Sequence, residues 1–268
     1  MMLKLLFITN NPQIAAVAEK AGVNRIWIDL ETLGKAQRQK NMNTVLSRHS
    51  ISDIERISPL LSQADMLVRI NPWNSRSKQE IDQVIESGAD IIMLPYWKTP
   101  EEVESFISYV HNRCKTLLLL ETRKGVECLH EVLEIPFIDE FHIGLNDLSI
   151  SYGYHDMFEP FVNGLLDEIS SLINKVNIPF GIGGIGQFGL GLSPSPEELI
   201  AEHYRLGSTA VILSRTFCNV EKLRDMQIIE ETLNRNIAKL RETEKWALSL
   251  NQQEMKANHE RVINAFSR

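Results

Sequence analysis

What this chain has little of narrows its class before any motif is read. Three cysteines, Cys114, Cys128 and Cys218, show no CxxC or metal-ligand spacing, so neither a disulfide framework nor a thiolate metal site is indicated. No apolar run approaches the roughly 20 residues needed to span a bilayer. The opening MMLKLLFITNN is too short for a signal h-region and ends in turn residues. No basic cluster or aromatic–basic stripe interrupts a net charge of −7, which argues against nucleic acid as the main partner. Beyond residue 220 glycine and proline are both missing. A soluble, cytoplasmic protein is the expectation these absences leave.

What is present is an alternation. With 268 residues and 43% hydrophobic composition, the chain is long enough for one large core. Short apolar runs recur at 3–9, 25–30, 66–70, 90–95, 116–121, 140–144, 178–184 and 209–214, each followed by a helical pattern. Eight strand–helix units in one run predict an α/β fold, a closed (β/α)8 TIM barrel over residues 1–220. Thr99-Pro100-Glu101-Glu102 and Ser195-Pro196-Glu197-Glu198 read as helix starts, and Gly22, Gly88 and Gly207 as helix stops. Residues 221–268 predict an extended C-terminal helical segment with an apolar stripe of Ile229, Leu233, Ile237 and Leu240. It reads either as a last barrel helix with a peripheral extension or as an oligomerisation arm.

Two strands end in carboxylates, LLLLE in Glu121 and DEFHIGLND in Asp147. The strand C-termini of a parallel barrel face one shared mouth, so these two acids converge there. Hard oxygen ligands suit Mg²⁺ or Mn²⁺. The other strand ends contribute Asp29, Glu31, Arg69, Gly144, Leu145, Asn146, Ser214 and Arg215. An arginine fork there matches a carboxylate, and a metal beside a carbonyl stabilises an enolate. Each acid has a plainer reading as a helix cap, and Arg69 as a partner of Asp29 or Glu121. The glycine-rich GIGGIGQFGLGL at 181–192 lacks the GK[ST] of a Walker loop; it reads as a mobile loop before it reads as a phosphate cradle. His142 falls within a strand and reads as packed, while Trp73 and Trp97 sit where they would wall a pocket or pack on a loop.

The segments IDLETLGK, VRIN, GADIIMLP, LLLETRKGVECLHEVL and IDEFHIGLNDLSISYG resemble the HpcH/HpaI aldolase and citrate lyase β-subunit family of the phosphoenolpyruvate/pyruvate barrel superfamily, over roughly residues 23–155. The resemblance implies that Glu121 and Asp147 ligate Mg²⁺ or Mn²⁺, and that Arg69 holds the carboxylate or enolate of a 2-oxo acid. It implies assistance from backbone amides at Gly144, Leu145 and Asn146, with Asp29 and Glu31 around the metal's waters. It further implies an aldehyde or acyl-CoA partner substrate and a homo-oligomer, trimer or hexamer, that exchanges C-terminal helices. One departure stands out. Thr32 occupies the place of the histidine that follows the strand-two acid in aldolases, and its hydroxyl is no base near neutral pH. His49 or a water on the metal is the replacement the sequence offers. DLE with Lys35 and Arg38 instead resembles the citryl- or malyl-CoA lyase branch. A barrel with decayed catalysis, retained for binding or assembly, is the non-enzymatic alternative.

Overall fold

A computed structural model describes residues 1–34 and 49–266. Eight parallel strands close in sequence order into a barrel: β1 (Lys4–Ile8), β2 (Arg25–Asp29), β3 (Asp65–Arg69), β4 (Ile91–Leu94), β5 (Lys115–Leu120), β6 (Glu140–Ile143), β7 (Phe180–Ile185) and β8 (Ala210–Leu213). The expected (β/α)8 barrel is therefore the fold. Each apolar run forms its strand within a residue or two of the expected ends, because a parallel strand covered on both faces reads as an unbroken hydrophobic run.

The period of two along each strand sorts residues between two cores. Leu6, Trp27, Leu67, Ile91, Met93, Leu117, Leu119 and Ala210 form a cluster of their own. A second, larger cluster joins Leu5, Ile26, Ile28, Met66, Val68, Leu118 and Leu120 to helix residues such as Val84 and Phe106. The first set fills the barrel and the second seals its wall, the alternation that pleating imposes. Continuing the inward series past the apolar middle reaches Asp29 after Trp27, Arg69 after Leu67 and Glu121 after Leu119. In register, Asp29 stands beside Arg69 across β2 and β3. The inward series thus ends in charge at the mouth.

Helix boundaries follow their caps. Thr99 accepts from the Glu102 amide with Pro100 behind it, and Ser195 and Glu198 form a reciprocal capping box. At Gly88, φ is +105° and an added Cβ would stand 2.6 Å from Ser58 Oγ, so the helix Ser77–Glu86 ends there on a glycine. The helical stretch after β5 divides at Cys128 into Arg123–Glu127 and Leu129–Val132. The one expected near 157–175 divides at Gly164, where φ is +85°, into Glu159–Val162 and Leu165–Lys175.

The C-terminal segment forms Val220–Leu223, Met226–Ser249 and Gln252–Ala265. Ile229, Leu233, Ile237 and Leu240 are buried and belong to the barrel's outer core. Buried carboxylates fasten these helices to the chain's own barrel. Glu244 accepts from the Leu3 amide at 2.6 Å and the Tyr204 hydroxyl at 2.8 Å. Glu202 holds Arg205 at 2.7 Å, His259 at 2.9 Å and Asn258 at 3.2 Å. Among the described residues no helix is long and apolar enough to cross a membrane.

Candidate active site

A cavity of about 270 Å³ opens at the C-terminal mouth of the barrel. Asp29, Arg69, Glu121, Gly144, Leu145, Asn146 and Asp147, proposed from sequence, all line it. Its apolar walls are Ile8, Trp27, Leu119, Met157, Ile212 and Leu213, and Gly183, Gly184, Ser214 and Arg215 complete it.

Arg69 is the best-defined group. Its Nε and Nη2 donate to the two carboxylate oxygens of Asp29, both at 2.8 Å, and Nη2 lies 3.4 Å from Glu31 Oε2. The guanidinium carbon stacks 4.8 Å from the centre of the Trp27 ring. Burial would push this guanidinium down; Asp29, Glu31 and Glu121 outweigh it and hold Arg69 above its ordinary value, permanently charged. Both readings of Arg69 are thus partly realised: one edge of the fork is paired within the protein. Among the described residues Nη1 makes no hydrogen bond, and it belongs to a side chain that faces the cavity.

Glu121 is 3% exposed, and its Oε1 accepts from the Tyr96 amide at 3.1 Å. Tyr96 has φ +54°, a left-handed turn at the end of β4 that aims this N–H at the carboxylate. At Gly144 an added Cβ would lie 3.0 Å from Glu121 Oε2, so a side chain there would crowd the carboxylate. Asp147 sits in the first turn of the helix Leu145–Tyr152, half-buried and facing the same cavity. Two carboxylates on neighbouring strand ends fit a hard divalent cation, which keeps water and substrate oxygens for its remaining positions. Among the described residues no group of three or more His, Cys, Asp or Glu could hold a metal without such help.

The other sequence candidates are placed as follows. Glu31 is buried behind Asp29, whose Oδ1 accepts from the Glu31 amide at 3.2 Å. Thr32 is exposed; its amide and that of Leu33 donate to Asn71 Oδ1 at 2.9 and 3.0 Å, so it faces Asn71 and does not line the cavity. His49 Nδ1 accepts from the Asp29 amide at 3.0 Å, which puts the proton of the neutral ring on Nε2. In that tautomer His49 is a donor, and a role as base does not follow from the geometry. Lys35 and Arg38 lie outside the described residues. Trp97 is buried at 1% exposure and Trp73 packs on the outer core; neither walls the cavity. His142 is fully buried, with Nε2 3.3 Å from Gly183 O, and burial pushes its pKa down to about 4. It packs where a side chain at Gly181 would stand, 2.3 Å from an added Cβ.

Sequence reasoning missed Trp27 and Tyr96; Asn71 is foreseen at the end of the third strand, beside Arg69. Trp27 was available from the period of two, lying two residues before Asp29. Tyr96 acts through its backbone, which leaves no pattern in the chain, whereas Asn71 clamps the neighbouring strand end through its side chain.

A family model described as HpcH/HpaI aldolase/citrate lyase matches residues 4–160. A hydroxypyruvate/pyruvate aldolase of Sagittula stellata is 22% identical over 140 residues, covering 41% of this chain and 54% of that protein. The chain thus matches about half the length of this curated relative. Among solved structures, an HpcH/HpaI aldolase from Desulfitobacterium hafniense has a TM-score of 0.64 at 13% identity, covering 86% of this chain and 93% of that one. A citrate lyase β subunit from M. tuberculosis, complexed with oxaloacetate and magnesium, has a TM-score of 0.56 at 14% identity, covering 87% and 96%. At such identities the solved structures speak for the barrel alone.

Proposed function

We infer the reaction from two facts taken together: the chain belongs to the HpcH/HpaI aldolase/citrate lyase family, and its barrel mouth gathers two carboxylates and a fixed arginine around one small cavity. We propose a divalent-metal-dependent carbon–carbon lyase or aldolase that forms a pyruvate-type enolate from a 2-oxo acid. The observation that carries this reading is Glu121 and Asp147 facing the same cavity as the Asp29-braced fork of Arg69. Glu121 and Asp147 would hold Mg²⁺ or Mn²⁺, which supplies the Lewis acidity that stabilises enolate charge.

The remaining work falls to the chain's own groups. Asp29 fixes the Arg69 plane through two bonds, so Nη1 and the cavity-facing edge bind a substrate carboxylate with little rotamer entropy left to lose. Trp27 stacks on that plane and, with Leu119 and Ile212, keeps water from the reacting carbon. The Tyr96 amide holds Glu121 Oε1 in place. Through its Asp29 bond His49 stabilises the end of β2, with its own proton on Nε2.

An acyl-CoA lyase of the citryl or malyl type would share the same first step and differ in the electrophile. A cavity of about 270 Å³ takes the acyl end of such a substrate, leaving the nucleotide outside. We place the protein in the cytosol as a homo-oligomer, trimeric or hexameric. Ile228 and Trp246, exposed and a whole number of turns apart on the helix Met226–Ser249, support association through that face.

Titration with Mn²⁺, followed by electron paramagnetic resonance with and without oxalate as an enolate mimic, tests the assignment. Glu121→Gln and Asp147→Asn should each weaken Mn²⁺ binding at least about tenfold. Arg69→Ala should retain Mn²⁺ and lose oxalate. Equal Mn²⁺ affinity in all three variants would remove the metal from this site.

A further inference from the structure

The carboxylates that brace Arg69 lie where the ladder of β2 runs out. β2 ends at Asp29, yet Asp29 and Glu31 both reach the guanidinium, Asp29 Oδ1 at 2.8 Å and Glu31 Oε2 at 3.4 Å. We propose that Asn71, just past the end of β3, is a positioning residue of this site: together with Glu80 it clamps residues 30–33 and so sets the two acids against Arg69. This deepens the enolate reading above, on which it rests.

Each amide from Leu30 to Leu33 finds an acceptor on Asp29, Arg69 or Asn71. The Leu30 amide donates to Arg69 O at 2.9 Å and the Glu31 amide to Asp29 Oδ1 at 3.2 Å. The next two amides, of Thr32 and Leu33, converge on Asn71 Oδ1 at 2.9 and 3.0 Å. The Thr32 hydroxyl reaches the same oxygen at 3.3 Å. On its other edge, Asn71 Nδ2 donates to Glu80 Oε1 at 2.8 Å and to Leu30 O at 3.4 Å. The Asn71 amide also donates to Glu80 Oε1, at 3.2 Å. These partners fix the orientation of the side chain. A carboxylate only accepts and a backbone N–H only donates, so the oxygen faces the turn and the nitrogen faces Glu80.

Among side chains of this length, an amide alone offers an acceptor and two donors at once. Aspartate would keep the acceptor but face Glu80 with a second carboxylate; leucine would keep the shape and lose every bond. Glu80 is itself held by the helix Ser77–Glu86, whose first turn it occupies. Burial pushes its carboxyl above the usual range, and the bonds from Asn71 oppose that shift. The clamp thus runs from a helix, through the end of β3, to the turn after β2. That turn needs holding because Asp29 and Glu31 are 2% and 3% exposed. Two carboxylates sharing one guanidinium away from water repel each other, and only a fixed backbone keeps both in place. A turn that drifted would release the braced edge of Arg69 and swing its cavity-facing edge off the substrate.

The test compares the wild type with Asn71→Asp, Glu80→Gln and the double variant, each titrated with Mn²⁺ and then with oxalate by electron paramagnetic resonance. Asn71→Asp sets two carboxylates together and should weaken oxalate about tenfold or more, while Mn²⁺ affinity stays within about twofold. Adding Glu80→Gln turns the pair around, the glutamine donating where the asparagine did, and should recover most of the loss. The same pattern should appear as a rise in KM for pyruvate in methyl-proton exchange. A side chain that only stabilised the fold would lower the denaturation midpoint and Mn²⁺ affinity in step with oxalate, and that result overturns the proposal. So does a loss in Asn71→Asp that Glu80→Gln leaves unrecovered. Wild type that binds oxalate, with the same affinity in Asn71→Asp, sinks the clamp alone. Wild type that binds Mn²⁺ but no oxalate sinks the enolate reading and this role for Asn71 with it.

Discussion

The two ends of the barrel carry nearly the same ion pair and use it differently. At the floor, Arg25 is fully buried and bidentate to Glu140, both contacts at 2.6 Å, with Lys4 adding a third at 3.1 Å. At the mouth, Arg69 is bidentate to Asp29, both contacts at 2.8 Å. Arg25 opens each inward series of β2 and Asp29 closes it. The difference is what lies beyond the guanidinium. Beyond Arg25 stand Glu140, Lys4 and, 3.7 Å away, Asp65, so its charge is consumed within the protein. Beyond Arg69 lies a cavity with two further carboxylates. One pair closes the barrel and the other is half of a binding site. That division agrees with barrels generally, where the strand N-termini serve stability and the C-termini chemistry.

The largest expected effect separates the two pairs by stability. Arg25→Met strands the Glu140 carboxylate and should cost about 3–5 kcal/mol in denaturant unfolding, while activity per folded molecule persists. Adding Glu140→Leu should recover most of that loss. If Arg25→Met costs nothing, the floor pair is not structural and the contrast fails.

A smaller effect is expected at the mouth. Arg69→Lys keeps the charge but cannot brace itself against Asp29 with two bonds while binding a carboxylate. It should lower kcat/KM for the 2-oxo acid by about 10- to 100-fold with little change in unfolding free energy. A stability loss as large as that of Arg25→Met would make the two pairs equivalent.

The smallest effect, read over a single pH unit, concerns acid. Burial holds His142 and His203 neutral in the folded barrel, with pKa values pushed down to about 4 and about 3 from 6.5. Between pH 6.5 and about 4 the unfolded chain takes up protons that the folded one refuses. Stability therefore falls as pH falls through that window and levels off once the folded rings titrate. Each histidine contributes a slope of up to about 1.4 kcal/mol per pH unit, so His203→Asn should flatten the curve by about that amount. Glu140 adds its own loss further down, since burial raises its pKa but Arg25 and Lys4 outweigh this and hold it below 4.5. An unchanged slope in His203→Asn would mean that the ring is not held neutral in the fold.

How legible the molecule was depended on what each feature rests on. Strand order and strand ends were legible because hydrophobic runs of four to six residues between helix caps encode them directly. Glu121 and Arg69 were legible because a charge that ends an apolar strand has no place in the barrel's middle, and Asp147 because it opens the helix that follows β6. The bidentate Asp29–Arg69 pairing was open in sequence, since either Asp29 or Glu121 was within reach; register settled it by setting Asp29 opposite Arg69. Tyr96 was not legible, because its contribution is an N–H aimed by a left-handed φ. Nor was the tautomer of His49, which depends on a contact with the Asp29 amide 20 residues earlier in the chain. The glycine-rich segment that begins within β7 reads in sequence as a mobile loop or a phosphate cradle; the bulge exists only once β8 is paired beside it.

The most direct test of the mouth as an enolate-forming site is exchange of pyruvate methyl protons with D₂O, followed by NMR with and without Mg²⁺ or Mn²⁺. The account predicts exchange that requires the divalent cation and falls by about a hundredfold or more in Glu121→Gln, with Arg25→Met still active while folded. Exchange that survives Glu121→Gln undiminished, or none at all in a wild type that demonstrably binds Mn²⁺, would contradict it.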